Sequence, residues 1–119
     1  TSSFYVEGEI EGFGNTDFMV DTGSGYTTLT EETLLALKAN GQAQYVRDLS
    51  GIMADGTTRK VPVFAISKLN IGRECVFYDI EVAMFIDAPR NILGLNVLKK
   101  AAPFTVSIEP PSLQLSNCI

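Results

Sequence analysis

The chain contains no histidine. That gap removes the Ser-His-Asp and Cys-His arrangements of nucleophilic hydrolases and the common His-based zinc sites. Cysteine is nearly as scarce, with Cys75 and Cys118 the only two. They cannot form a zinc cluster alone. Their first reading is a buried thiol at Cys75 and a frayed C-terminal thiol at Cys118, while the spacing leaves open a bridge between them or between two chains. No apolar run approaches the roughly 20 residues that a membrane-crossing helix needs. Clustered positive charge is also missing. The nine Lys and Arg are scattered and the net charge is −5, which argues against a nucleic-acid footprint and against contact with an anionic membrane surface. There is no internal repeat, low-complexity segment or linker, so the 119 residues read as one domain, 1–119, with a single modest core. The start, Thr1-Ser2-Ser3-Phe4, resembles no signal peptide and lacks an initiator Met. The chain is therefore expected to be a processed form or an excised domain, with any targeting segment outside it. The compartment is not readable, and a bacterial periplasmic or membrane-tethered setting stays open. An enzyme of this composition must work with carboxylates, hydroxyls or backbone groups.

What is present is mostly β pattern. Phe4 to Glu11 alternates as a strand, Gly12-Phe13-Gly14-Asn15 is a turn, and Thr16 to Asp21 is the returning strand of a hairpin. Thr30 is a good N-cap, and Glu31 and Glu32 suit the positive end of a helix dipole. The spacing predicts a helix over Glu31 to Ala39 that buries Leu34, Leu35 and Leu37, with Asn40-Gly41 as its stop. From Tyr45 strands resume, and Asp55-Gly56 marks a hairpin turn. Val61 to Ile66 and Cys75 to Phe85 are β-type runs separated by Asn70-Ile71-Gly72-Arg73. Asn91-Ile92-Leu93-Gly94 is a short apolar strand ending on Gly. Leu95 to Ala101 can make two helical turns. Phe104 to Ile108 and Leu113 to Leu115 close the chain around Pro110-Pro111.

Asp21-Thr22-Gly23-Ser24 stands at the end of an apolar strand and is followed by the β-prone Gly25-Tyr26-Thr27-Thr28-Leu29. Burying a charge costs several kcal/mol unless something stabilises it, so an Asp there is a costly placement. Taken alone, the tripeptide reads as an Asp opening a β-turn. Its neighbours in order change that reading: strand–Asp-Thr-Gly-Ser, then a mid-chain Asp-Gly hairpin, then Ile-Leu-Gly running into a short helix.

With these three features, from about Phe4 to Leu115, the chain resembles the retropepsin-like aspartic proteases, the single-domain branch of the pepsin clan. The resemblance implies an all-β fold: a closed β-barrel with a flap hairpin and one or two short helices. It implies that Asp21 is the catalytic aspartate, that Thr22 hydrogen-bonds across a dimer axis, and that Gly23 lets the backbone pass close to partner and substrate. Ser24 and Gly25 would contact substrate. Met53, Ala54, Asp55 and Gly56 would do so from the flap, and Ile92 and Leu93 from apolar pockets. Gly94 would support the catalytic loop. The implied activity is endopeptidase action on polypeptide, without metal or cofactor. Because no other aspartate repeats the motif, a C2 homodimer with one Asp21 per chain is implied. A catalytically weak peptide-binding or dimerisation module of the same fold is the alternative.

Two residue-level expectations go further. The Ser24 hydroxyl could donate to Asp21, favouring its charged form and an acidic optimum, or it could cap the local turn. Asp55 could be a plain turn residue or could favour basic substrate side chains. Where retroviral enzymes carry an acidic residue four positions after the catalytic Asp, and an Arg after the Ile-Leu-Gly-type triplet, this chain has Gly25 and Leu95. Both ends of that ion pair are missing together, a pattern closer to bacterial and cellular members than to viral ones. Leu113-Gln114-Leu115 and the first strand are the candidates for holding two chains together.

Overall fold

The computed structural model describes residues 4–118. Nine strands and two short helical segments follow one another along the chain: β1 Tyr5–Ile10, β2 Gly14–Val20, β3 Thr27–Leu29, α1 Glu31–Ala39, β4 Ala43–Ile52, β5 Thr58–Ile71, β6 Cys75–Met84, β7 Asn91–Leu93, α2 Leu95–Leu98 with a 3-10 turn Lys99–Ala101, β8 Phe104–Ile108 and β9 Pro111–Leu115. The main sheet runs β1-β2-β7-β3-β6-β5-β4, and β1 also pairs with β5. Six strands therefore close into a barrel, with β4 attached outside β5. Closure removes the exposed edges that an open sheet would leave.

The barrel interior is filled by Phe18, Leu29, Ile66, Leu69, Ile80 and Leu93, each 1% exposed or less. Each such side chain contributes about 1.5–3 kcal/mol relative to leaving it in water. Thr30 caps α1, its Oγ1 accepting from Thr33 N at 3.2 Å. The helix buries Thr33, Leu34 and Leu37, but Leu35 is 54% exposed. Leu34 and Leu37 are three residues apart and share a face, and Leu35 lies about 100° away from Leu34 around the helix. The strand expected over Val61 to Ile66 runs from Thr58 to Ile71, because its first part pairs with β4 and Val63 to Ile71 pair with β6.

The two cysteines form a bridge, Cys75–Cys118, which overturns the reading of two separate thiols. It ties the end of the chain to the start of β6. Strands β8 and β9 form a separate antiparallel pair.

Candidate active site

The site is built where β2 and β7 run parallel. Phe18, Met19 and Val20 pair with Asn91, Ile92 and Leu93, and Asp21 N continues the ladder to Leu93 O at 3.1 Å. The chain then turns sharply. Ser24 N bonds Asp21 O at 3.2 Å, and Gly23 N donates to Asp21 Oδ1 at 2.9 Å. Asp21 as a residue is half-buried while Thr22 and Gly23 are exposed. Behind the loop, Leu95 N and Asn96 N donate to the carbonyls of Ser24 and Gly25, at 2.8 and 3.1 Å. The Asn96 side chain completes the clasp: its Oδ1 accepts from Thr27 N and Thr27 Oγ1 at 2.7 and 2.9 Å.

Gly94 makes this packing feasible. A Cβ there would sit 2.5 Å from the Tyr26 carbonyl carbon and 2.8 Å from Thr27 N. Only a residue without a side chain lets the two backbones approach that closely. Asn91, 4% exposed, braces the other end of β7. Its Oδ1 accepts from Thr30 N at 2.8 Å and its Nδ2 donates to Thr16 Oγ1 at 3.2 Å.

The flap is the β4–β5 hairpin, with Ile52 opposite Thr58. Met53 N bonds Thr57 O at 2.8 Å and Gly56 N bonds Met53 O at 2.9 Å. Gly56 takes φ +86, a conformation that L side chains rarely adopt. The Asp55 carboxylate folds back into this turn, accepting from Thr57 Oγ1 at 2.6 Å and Thr57 N at 2.9 Å. These bonds hold its pKa below the ordinary aspartate value, the Thr57 hydroxyl first and its amide next, with Arg59 adding to them and desolvation opposing. The plain turn role is the one its contacts support.

A cleft of about 230 Å³ lies between the flap strands and the loop, lined by Ser24, Gly25, Tyr26, Thr28, Leu49 and Val61, among others. Four larger depressions, among them one at the β1–β2 turn and one between Glu7, Arg73 and Leu115, do not reach the Asp21 loop. Of the expected substrate contacts, Ser24 and Gly25 border this cleft. Met53, Ala54, Asp55, Gly56 and Ile92 do not. Leu93 is fully buried and faces the core, because Ile92 and Leu93 are successive residues of a strand and point to opposite sides. It supports the barrel and does not line the cleft. Ser24 donates its hydroxyl to Tyr26 O at 2.6 Å. Its single proton is therefore given to the turn, so of the two readings the turn cap is the one observed and the bond to Asp21 is not made.

Sequence reasoning missed the group on the outer side of the cleft. Arg47 donates to both carboxylate oxygens of Glu81, at 3.1 and 2.7 Å, and to Tyr26 Oη at 2.7 Å. Glu81, first, and then Tyr26 raise the Arg47 pKa above its ordinary value, while hydrogen bonding from Arg47 lowers that of Glu81. Arg47 and Glu81 lie far apart along the chain, so no local pattern flagged them.

The barrel, the strand-end aspartate backed by Ile-Leu-Gly and the flap together carry the architecture expected above. A family model described as "gag-polyprotein putative aspartyl protease" matches residues 6–100. The chain belongs to this aspartyl protease family. A retropepsin-like aspartic protease from Rickettsia conorii is similar in structure. It has a TM-score of 0.70 and 24% sequence identity, over 94% of this chain and 80% of that one. At that identity the likeness establishes the retropepsin-like fold. No curated protein matches the chain. Among the described residues of this family member, no helix is long and apolar enough to cross a membrane.

Proposed function

We propose that this chain, as one protease domain spanning 1–119, is an aspartic endopeptidase active as a C2 homodimer. Each copy contributes one Asp21 to a shared site. The observation that carries the reading is the setting of that residue: a half-buried aspartate at a strand end, its carboxylate held by Gly23 N, on a loop whose Thr22 and Gly23 are exposed. A second copy of the same loop can pack against that exposed tip. The chain holds a single Asp-Thr-Gly, so the second carboxylate comes from the partner.

Two carboxylates about 3 Å apart cannot both ionise, so the pair shares one proton. The charged member takes a proton from water while the protonated member donates to the scissile carbonyl. Water oxygen bonds to the carbonyl carbon directly. Collapse of the tetrahedral intermediate breaks the C–N bond, and the amine leaves with a proton from the dyad. No acyl-enzyme forms. Thr22 of each copy would cross-link the loops, and the flap would lie over an extended peptide and hydrogen-bond its backbone. The unshared outer edges of the β8–β9 pair support Leu113 to Leu115 as one element of the dimer contact, with β1 as the other.

Cleavage-site profiling over a range of pH, with Asp21→Asn as control, tests the reading. The expected result is pepstatin-sensitive cleavage that disappears in the variant and a sedimentation coefficient of a dimer at active concentrations. A fully active monomer would refute the shared site. Peptide binding without turnover in wild type would favour a binding module.

A further inference from the structure

We propose that Arg47 is a positioning residue of the substrate cleft. It locks Tyr26 as a wall of the cleft and thereby sets which size of apolar substrate side chain is admitted. The inference rests on the peptidase reading above and deepens it.

The geometry starts in β4. Its register against β5 slips between Tyr45 and Arg47, a bulge that re-aims the strand's side chains. Tyr45 packs edge-on against Phe64, ring centroids 5.7 Å apart. Arg47 instead reaches β6 and the catalytic loop. Its fork engages both Glu81 oxygens, which fixes the guanidinium plane as a single contact would not. Its Nη2 also meets Tyr26 Oη at 2.7 Å. The strand that carries the flap is thus joined to the residue that ends the catalytic loop.

Glu81 is held from its own side, since its carbonyl accepts from Asn96 Nδ2 at 2.7 Å. Asn96 also clasps Thr27. The chain of contacts therefore returns to the loop: Tyr26 through Arg47, Thr27 through Asn96, and both through Glu81. Tyr26 is fixed at its carbonyl too, by Ser24 Oγ. Tyr26 lines the 230 Å³ cleft together with Leu49 and Val61, and no charged residue lines that space. The cleft suits a mid-sized aliphatic side chain. The Arg47 and Glu81 side chains are 43% and 39% exposed, and exposed ion pairs add little to stability. A positional role explains the arrangement better than a stabilising one.

The test uses the full chain and a peptide set that differs only in Ala, Val, Leu or Phe at the residues flanking the scissile bond. Wild type should prefer one size by about tenfold in kcat/KM, the scale on which apolar pockets discriminate. Arg47→Met should flatten that preference mainly through KM, with the melting temperature nearly unchanged. Tyr26→Phe keeps the ring but loses the oxygen, and should reproduce the effect. The double variant should add nothing further. Arg47→Lys, with a charge but no fork, should restore only part of the preference. Unchanged selectivity in a folded Arg47→Met, or additive losses in the double variant, would overturn the proposal. The same peptides are titrated by fluorescence anisotropy against Asp21→Asn, with and without Arg47→Met. If wild type cleaves nothing, the peptidase reading fails, while the size preference in binding still decides the role of Arg47. Absence of peptide binding by every version overturns both.

Discussion

Replacing Gly94 by Ala gives the sharpest test of how the Asp21 loop is held. Gly94 has φ −103 and ψ −179, a conformation open to any L residue. At such positions Gly→Ala ordinarily stabilises by about 0.4–1 kcal/mol, by reducing the freedom of the unfolded chain. Here the sign should reverse. The added methyl meets the Tyr26 carbonyl and Thr27 N, which are backbone atoms that no rotamer change can move aside. Overpacking of this kind costs about 1–3 kcal/mol. Pushing α2 away also lengthens the Leu95 N–Ser24 O and Asn96 N–Gly25 O bonds, at about 1 kcal/mol each. The expected loss is about 3–5 kcal/mol, a large share of the roughly 5–15 kcal/mol that keeps a domain folded. Urea unfolding followed by circular dichroism measures it, with peptide cleavage read on the fraction that stays folded. Gly25→Ala serves as control, since a Cβ there meets nothing within 4 Å. Its stability should not fall, and should rise by up to about 1 kcal/mol. A Gly94→Ala chain as stable as wild type would refute the close-packed loop.

Three further outcomes follow from contacts elsewhere. The Cys75–Cys118 bridge spans a sequence separation of 43, so Cys118→Ser should lower stability by about 4 kcal/mol on the loop-entropy scale. A denaturation midpoint indifferent to both that variant and a dithiol reductant would show that the bridge does not form. Such a bridge suits an oxidising compartment. Ser24→Ala should cost about 1 kcal/mol by removing the bond to Tyr26 O and leave the pH–rate profile in place, whereas a shifted profile would place the hydroxyl on Asp21 after all. Asp55 has a folded pKa below its ordinary value because it accepts from Thr57. Its hold on the flap turn is therefore complete above the ordinary aspartate range and is lost as pH falls through the lower, folded value. The Thr57 amide shift in NMR should titrate with a midpoint below that of a free aspartate, and Asp55→Asn should abolish the step. A midpoint at or above the free value would show that the turn bonds do not favour the charged form.

Much of the fold was legible because its signals are local. The Thr30 cap, the Glu31–Ala39 helix, the Asp55-Gly56 turn and the short strand before Gly94 depend on neighbours a few residues away. The Asp21-Thr22-Gly23 motif could be picked out for the same reason, and the missing histidine narrowed the chemistry open to it. Other features turned on contacts between distant segments. Leu35 and Leu93 were read as apolar and therefore useful to helix face or pocket. Helix phase sends Leu35 to solvent and strand alternation sends Leu93 into the core. The Ser24 hydroxyl had two acceptors within reach of sequence reasoning, and the turn aims it at Tyr26 O.

The sequence by itself determined the family architecture and the chemistry open to it: one Asp-Thr-Gly at a strand end, a glycine-tipped hairpin, Ile-Leu-Gly and no histidine. Only the tertiary structure decided what stands around that motif. It brings Gly94 against Tyr26, closes Cys75 on Cys118, and lays Arg47 across Glu81 and Tyr26, although those partners lie tens of residues apart. Short-range pattern fixes dihedral angles and exposed faces, whereas barrel closure and strand register fix which distant side chains meet. The surroundings of Asp21 therefore came from the closed barrel.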